Sequence, residues 1–410
     1  VTVDEVHAEL SLFDFLRDHY LITRLRLVRP VLEVRVDEAG NVATGLGQAA
    51  SGAAERRVTL SSTEISDGRL RGLDARSGTV VEVANIAGVL QTAAALNGPF
   101  TFQGAGRFEG VDYEGRLAAS ALDADGVMST SLFVEAADGA FSFGSEGYVV
   151  TGDSPSYSGT ATYRQRPPAV AEDADGTDAG RGELLVTSEV RADTARVLFD
   201  TFTLTPDENR PSARLSGTAD IQLGASNRFG IVILNGIASL PPRDATADPS
   251  TVPFELIRQL SELPAVPVPP MPGEINLSIS ELGLRDVSLR DVRMDATTDG
   301  RRWIVDGLEA TLPGGTQLRL AGSVETEDGR PGFRGEGSLE SASLHSLAQL
   351  WRRPASGNPL VNVPGSLAAK LILAGDTLSV SDGELTIGDA VHPFSAEIGF
   401  ASATRHLNLR

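Results

Sequence analysis

The chain has 410 residues, with 35 Lys and Arg against 55 Asp and Glu, a formal net charge of −20. That sign argues against a nucleic-acid binder, whose phosphates need clustered cations, and against tight docking on an anionic membrane surface. Cys is 0, which excludes a disulfide framework, a thiol nucleophile and a thiolate metal site.

From the N-terminus, a weak helical pattern over 13–20 gives way to period-two alternation, which in a strand sends successive side chains to opposite faces. Leu25 and Leu27, then Leu32, Val34 and Val36, alternate with Arg24, Arg26, Glu33 and Arg35. Pro30 lies between the two runs and ends one strand. Ile65-Ser66-Asp67-Gly68-Arg69-Leu70 is echoed by Val380-Ser381-Asp382-Gly383-Glu384-Leu385, and each Asp-Gly is expected to make a tight hairpin turn. The echo fits an internal repeat and, equally, two independent hairpins.

Residues 166–182 are acidic, Gly/Pro-rich and aperiodic, hence a surface loop, and 241–251 reads the same way. Val186, Val190 and Ala192 share a parity opposite Thr187, Glu189 and Arg191. Leu215, Gly217, Ala219, Ile221 and Leu223 alternate with Arg214, Ser216, Thr218, Asp220 and Gln222. A helix is expected over 254–263, then an extended connector at 264–273 carrying Pro264, Pro267, Pro269, Pro270 and Pro272.

Beyond the connector, Ile275, Leu277 and Ile279, then Leu318, Leu320, Gly322 and Val324, resume the alternation. Leu344, Leu347, Ala348 and Trp351 fall at i, i+3, i+4 and i+7, so a helix is expected near 343–351, capped by Ser343 or Ser341. Phe394, Ala396, Ile398 and Phe400 alternate once more. The expected organisation is a first segment at 1–263, the connector at 264–273 and a second segment at 274–410.

The expected fold is mainly β with a few short helices. Strands apolar on one side and wet on the other belong to antiparallel sheets. Three short helices cannot roof so much sheet, which must fold over itself as a sandwich or barrel or curl around a ligand. Aromatics are only 5% and Gly numbers 43. Small inward residues such as Gly217, Ala219 and Gly322 suit a vacant trough. They equally suit two closely packed layers with Gly at bends and bulges.

Catalytic chemistry has little foothold. His7, His19, His345, His392 and His406 are scattered singly, outside any metal-ligand spacing. Gly104-Ala105-Gly106 continuing to Gly110 is spaced GxGxxxG and runs into alternating sequence, so it is no dinucleotide loop. Gly314-Gly315-Thr316 lacks the Lys of a phosphate loop and reads as a turn, and no G-x-S-x-G elbow occurs. Asp173 and Asp175 fall in the surface loop. No catalytic residue, metal or cofactor is expected, and the chain is not read as an enzyme. No apolar run approaches the ~18 residues of a membrane-spanning helix. Val1 rather than Met at the start leaves room for a removed leader or anchor.

Trp303, Leu308, Leu312-Pro313-Gly314, Thr316, Leu318, Leu320-Ala321-Gly322, Phe333, Gly335 and Leu339, then the Ser-rich segment ending at Trp351, resemble the AsmA family. So do the strand, Pro, strand passage from Leu25 through Pro30 to Val34 with Gly40-Asn41, and Asn97-Gly98-Pro99-Phe100 followed by Gly104. The resemblance runs from about residue 20 to 350 and rests on the order of small, aliphatic and turn residues. Members carry an N-terminal inner-membrane helix and a first hairpin that this sequence lacks, so the chain is expected to be an internal part. The resemblance implies a long, curled, repeated β-groove, shared with TamB-like and bridge-like lipid carriers. It implies a periplasmic protein anchored in the inner membrane of a Gram-negative envelope, supporting outer-membrane biogenesis by phospholipid transfer. It allows an outer-membrane protein as partner.

A phospholipid crossing water exposes roughly thirty methylenes, worth on the order of 20 kcal/mol at about 0.8 kcal/mol each. A trough covering them needs aliphatic residues and no catalytic group. The expected lining is Leu215, Ala219, Ile221, Leu223, Ile275, Leu277, Ile279, Leu318, Leu320 and Val324. Two other readings compete: an outer-membrane protein assembly module that offers a sheet edge for strand addition, and a β-solenoid adhesin. The varied strand lengths and Pro-rich breaks disfavour the solenoid.

Overall fold

The structure, a computed structural model, describes residues 1–10, 20–44, 58–92, 98–152, 154–166, 183–206, 213–240, 268–284, 287–327, 330–345, 362–399 and 406–410. The chain divides into two compact units. Unit 1 (Val1–Pro211 and Ala219–Asn227) opens with β1 (Glu5–Leu10), β2 (Tyr20–Val28), β3 (Val31–Val36), β4 (Val42–Thr44) and β5 (Val58–Leu60). Its main run is β6 (Ser62–Asp74), β7 (Thr79–Thr92), β8 (Phe100–Phe108), β9 (Val111–Ala119), β10 (Val127–Ala136), β11 (Phe141–Val150), β12 (Ser156–Gln165), β13 (Leu184–Asp193) and β14 (Arg196–Thr205).

Strand β15 (Arg214–Gln222) is shared between the units, its residues 214–218 belonging to unit 2. Unit 2 (Ser212–Thr218 and Arg228–Arg410) continues with β16 (Arg228–Leu240), β17 (Gly273–Leu284), β18 (Val287–Thr298), β19 (Trp303–Leu312) and β20 (Thr316–Glu327). It goes on through β21 (Arg330–Ser341), β22 (Gly365–Ala374), β23 (Thr377–Ile387), β24 (Ala390–Gly399) and β25 (His406–Leu409).

The fold is mainly β, as alternation dictates: an unclosed, mostly antiparallel sheet. From β6 to β14, and again from β17 to β25, each strand pairs antiparallel with the next. Parallel pairs mark the exceptions. β2 and β3 lie end to end along β6, with Arg29 (φ 51°) and Pro30 carrying the chain from one to the next, so Pro30 is the strand break its chemistry requires. β16 pairs parallel with β17, which demands a long crossover, and residues 241–272 provide it.

That crossover contains the Pro-rich connector. Its described part, 268–272, is irregular, and Gly273 already belongs to β17. The connector thus links two strands of one unit. Among the described residues helix amounts to a 3-10 turn at Pro313–Gly315 and the first helical residues, Leu344 and His345. The helix over 254–263 lies outside the described residues, as do 13–19, while Tyr20 opens β2. The 343–351 helix begins at Leu344 and is otherwise outside them, as are the loops 167–182 and 241–251, Phe400 and His19.

The two echoed Asp-Gly pairs are not hairpin turns. Asp67 (φ 56°) and Asp382 (φ 50°) sit inside β6 and β23, where the ladder register shifts between Ile65 and Gly68 and between Val380 and Gly383. Both are β-bulges: Asp tolerates the left-handed conformation that a bulge residue adopts, and the following Gly admits a neighbouring side chain. Over Gly383 that neighbour is the Phe394 ring, 2.5 Å from where a Cβ would stand. A true two-residue hairpin lies elsewhere, at Glu109-Gly110 (φ 48° and 84°) between β8 and β9.

Among the described residues the strands all belong to one hydrogen-bonded sheet. In unit 1 the buried Thr63, Thr92, Ala136, Ser188, Val190 and Phe202 all lie on one face. It is the more deeply buried face of unit 1.

Candidate functional site

In unit 2 the register joins inward positions into rows that cross the sheet. One row runs Leu277, Met294, Leu308, Leu320, Gly337 and Ala369. A parallel row runs Ile275, Ala296, Val305, Gly322, Gly335, Leu371 and Val380. A third contains Ala310, Leu318, Leu339, Leu367 and Leu385. Nine gaps separate β16 from β25, which at ~4.8 Å per gap makes the face about 43 Å across its strands.

The densest packing on this face is Ile279, Val292 and Ala310, with Leu215, Leu277, Leu282, Leu289 and Leu318 leaning on it. Away from that knot the leucines are half-buried: Leu320, Leu339 and Leu371 keep part of their surface in solvent.

Both ends of the face are closed by specific chemistry. At one, Trp303 (6% exposed) meets the Phe229 ring edge-on, with centroids 6.0 Å apart at 75°, and a Cβ at Gly273 would run into that same Phe229 ring. At the other, the fully buried Thr316 hydroxyl donates to Ser341 Oγ at 2.9 Å, and Ser341 Oγ donates to the Ser343 carbonyl at 2.8 Å where the helical residues begin. Eight residues of β20 separate Thr316 from Val324, about 26 Å of strand.

Of the sequence-expected lining, Leu215, Leu277, Ile279 and Leu318 come together in the packed knot, and Ile275, Leu320 and Val324 share its face. Ala219 and Ile221 are half-buried and belong to unit 1. Leu223 departs from the expectation. It lies past the end of β15 and is 36% exposed, its N–H donating to the Ala195 carbonyl in a turn rather than its side chain lining a sheet.

The supposed gaps are filled differently as well. Gly322 stands opposite Gly335, each too close to the other's backbone for a Cβ, and the Phe333 ring lies 2.8 Å from where a Gly335 Cβ would be. Gly217 is likewise pressed against the Val232 backbone. These glycines are places of close approach and bending, not vacancies.

Alternation alone missed Val292, Ala296, Ala310, Trp303 and Phe229. In β18 the register slips around Asp291 (φ 51°), and in β19 it slips between Val305 and Leu308. Each slip flips the parity of the residues beyond it. The signal lay in Asp291 and in Asp306-Gly307, residues suited to bulges.

The opposite face is charged and exposed. Arg319 Nε lies 3.3 Å from Glu309 Oε1, and Lys370 Nζ donates to Asp382 Oδ2 at 2.8 Å, an interaction that holds the ammonium above its ordinary pKa. A hollow of about 520 Å³ opens there among Arg319, Ala321, Glu336, Ser338 and Lys370. On the corresponding face of unit 1, the Arg116 guanidinium stands 5.2 Å over the Phe133 ring beside a hollow of about 590 Å³. Among the described residues no group of three or more His, Cys, Asp or Glu is placed to hold a metal, and no helix is long and apolar enough to cross a membrane.

One face of unit 2 is thus aliphatic and the other charged. No protein-family model, curated protein or solved structure matches the chain.

Proposed function

We propose that the chain holds or conducts phospholipid acyl chains on the apolar face of its sheet. The observation that carries this reading is the aliphatic face of unit 2, whose Leu318, Leu320 and Leu371 keep part of their surface in solvent. A face ~43 Å by ~26 Å matches hydrocarbon chains in scale. Each methylene it shields is worth about 0.8 kcal/mol, enough for a surface without catalytic groups to do thermodynamic work.

The setting in which this operates, a periplasmic protein anchored in the inner membrane and serving outer-membrane biogenesis, rests on the resemblance to the AsmA family. The test is solvent extraction of the purified protein followed by mass spectrometry. Leu320 and Ala321 are adjacent and face opposite ways, Leu320 half-buried and Ala321 exposed. Leu320→Asp is expected to lower lipid occupancy at least about tenfold, since a carboxylate in hydrocarbon costs more than the ~1.4 kcal/mol of one decade. Ala321→Asp should leave it unchanged. Equal lipid content in the two variants, or none in the parent, would sink the reading.

A further inference from the structure

Arg76 lies in the turn between β6 and β7, and Thr194 in the turn between β13 and β14. Six gaps separate β7 from β13 in the ladder, about 29 Å along a flat sheet. Yet Arg76 Nη2 donates to the Thr194 carbonyl at 2.6 Å. The two turns also stand at opposite ends of the antiparallel ladder. Only a sheet that both curls and twists can bring them together. Six steps of about −20 to −25° turn the strands by roughly −120 to −150°, the reversal required.

The guanidinium is prepared for this reach. Its Nε and Nη2 donate to the two carboxylate oxygens of Asp74 at 2.9 and 2.8 Å, a bidentate grip that leaves a further N–H of Nη2 aimed across the curl. Both side chains are largely shielded, at 13% and 20% exposure.

Two further turns close around the same group. A Cβ at Gly40, in the β3–β4 turn, would stand 3.5 Å from Thr194 Oγ1 and 3.6 Å from Arg76 Nη1. One at Gly224, just after β15, would stand 3.7 Å from Arg76 Cζ. Both glycines have positive φ, 89° and 123°. Four turns of unit 1 thus converge on one side chain.

We infer that Arg76 is a positioning residue that straps unit 1 into its curled form, so that the apolar inner face carrying Val190 and Phe202 is enclosed on that side. The sheet has no backbone ladder across this gap among the described residues, and the Arg76 guanidinium donates a hydrogen bond across it. A strap of this kind sets access: while it holds, a long apolar guest must thread along the curl, and when it parts, the guest enters from the side. This second statement rests on the acyl-chain reading; the strap itself does not.

The absence of Cys makes the test direct. Ala75 and Ala195 are exposed on the two joined turns, so Ala75→Cys and Ala195→Cys can carry spin labels in an otherwise full chain. With Arg76 present, a single short distance is expected. With Arg76→Met, the distribution should broaden and lengthen, and Arg76→Lys, which keeps the charge but lacks the planar fork that grips Asp74, should fall between. Identical distributions with and without the Arg76→Met change would overturn the strap. If Arg76→Met does not fold, bridging of the two cysteines by a short bis-maleimide in the Arg76 chain decides, and failure to bridge overturns the strap.

A pyrene-labelled fatty acid tests access. Exchange should quicken about tenfold in Arg76→Met, the worth of one charge-assisted hydrogen bond, and slow again once the bis-maleimide bridges the turns. Unchanged exchange beside altered distances overturns the access role. Absence of probe binding in every variant counts against the acyl-chain reading, while the distances still decide the strap.

Discussion

The Thr316 and Ser341 hydroxyls meet at 2.9 Å with neither reaching solvent, 0% and 3% exposed, at the end of the apolar face of unit 2 where β20 and β21 approach the start of a helix. Ser341 Oγ accepts this bond, accepts another from the Ser343 N–H at 3.3 Å, and donates to the Ser343 carbonyl. Ser341→Ala strands a buried Thr316 donor, which costs about 1–3 kcal/mol. The urea midpoint should fall accordingly. Thr316→Val combined with Ser341→Ala should cost less than the sum of the single changes, because the orphan is removed. Strict additivity would show that the pair is not coupled.

The Asp382 bulge yields a prediction about shape rather than charge. Its φ of 50° suits Asn and Gly and opposes a β-branched side chain. Asp382→Val should destabilise by about 1–3 kcal/mol, whereas Asp382→Asn should be near neutral. The ion pair to Lys370 weighs little in this comparison because both partners are more than half exposed. A large loss in Asp382→Asn by thermal unfolding would instead assign the position's value to its charge.

These bulges also explain what could and could not be read from the sequence. The β class was legible because alternation is a local, period-two property, as in Val186, Val190 and Ala192, which lie on the inner face of β13 as expected. The apolar parity of Ile275, Leu277, Ile279, Leu318 and Leu320 was legible for the same reason. Asp-Gly at 67–68 and 382–383 misled, because the same pair that closes a hairpin also builds a bulge, and only the partner strand decides between them. The convergence on Arg76 left no local trace at all. Thr194 lies 118 residues away, and curl accumulates over many strands from small twists.

Phe229 fills the space that Gly273 leaves and buttresses Trp303, so truncating it opens a cavity at the end of the face. Phe229→Ala should destabilise unit 2 by about 3–5 kcal/mol. With Trp351 replaced by Phe, Trp303 is the sole indole, since the chain contains 2 Trp. Its emission should shift to the red as water reaches a ring now 6% exposed. Unchanged emission would mean that other groups shield the indole.

The strap of unit 1 carries its own pH signature. The two Arg76 N–H donors hold the Asp74 carboxyl below its ordinary 3.8, burial opposing them, and the Arg76 backbone N–H adds a further bond. A carboxyl depressed on folding contributes stability that is fully present above its unfolded pKa and is lost as pH falls through the folded one. The strap should therefore be indifferent to pH from neutrality down to about 5 and loosen only below the ordinary carboxylate range. Arg76 remains charged throughout, its own pKa raised chiefly by Asp74, and Asp37 lends it further negative surroundings. The spin-label distance between positions 75 and 195 should accordingly stay fixed from pH 8 to about 5 and lengthen only in stronger acid. In Asp74→Asn that acid transition should vanish. A transition near neutral pH, or one that survives in Asp74→Asn, would place control of the strap in another group.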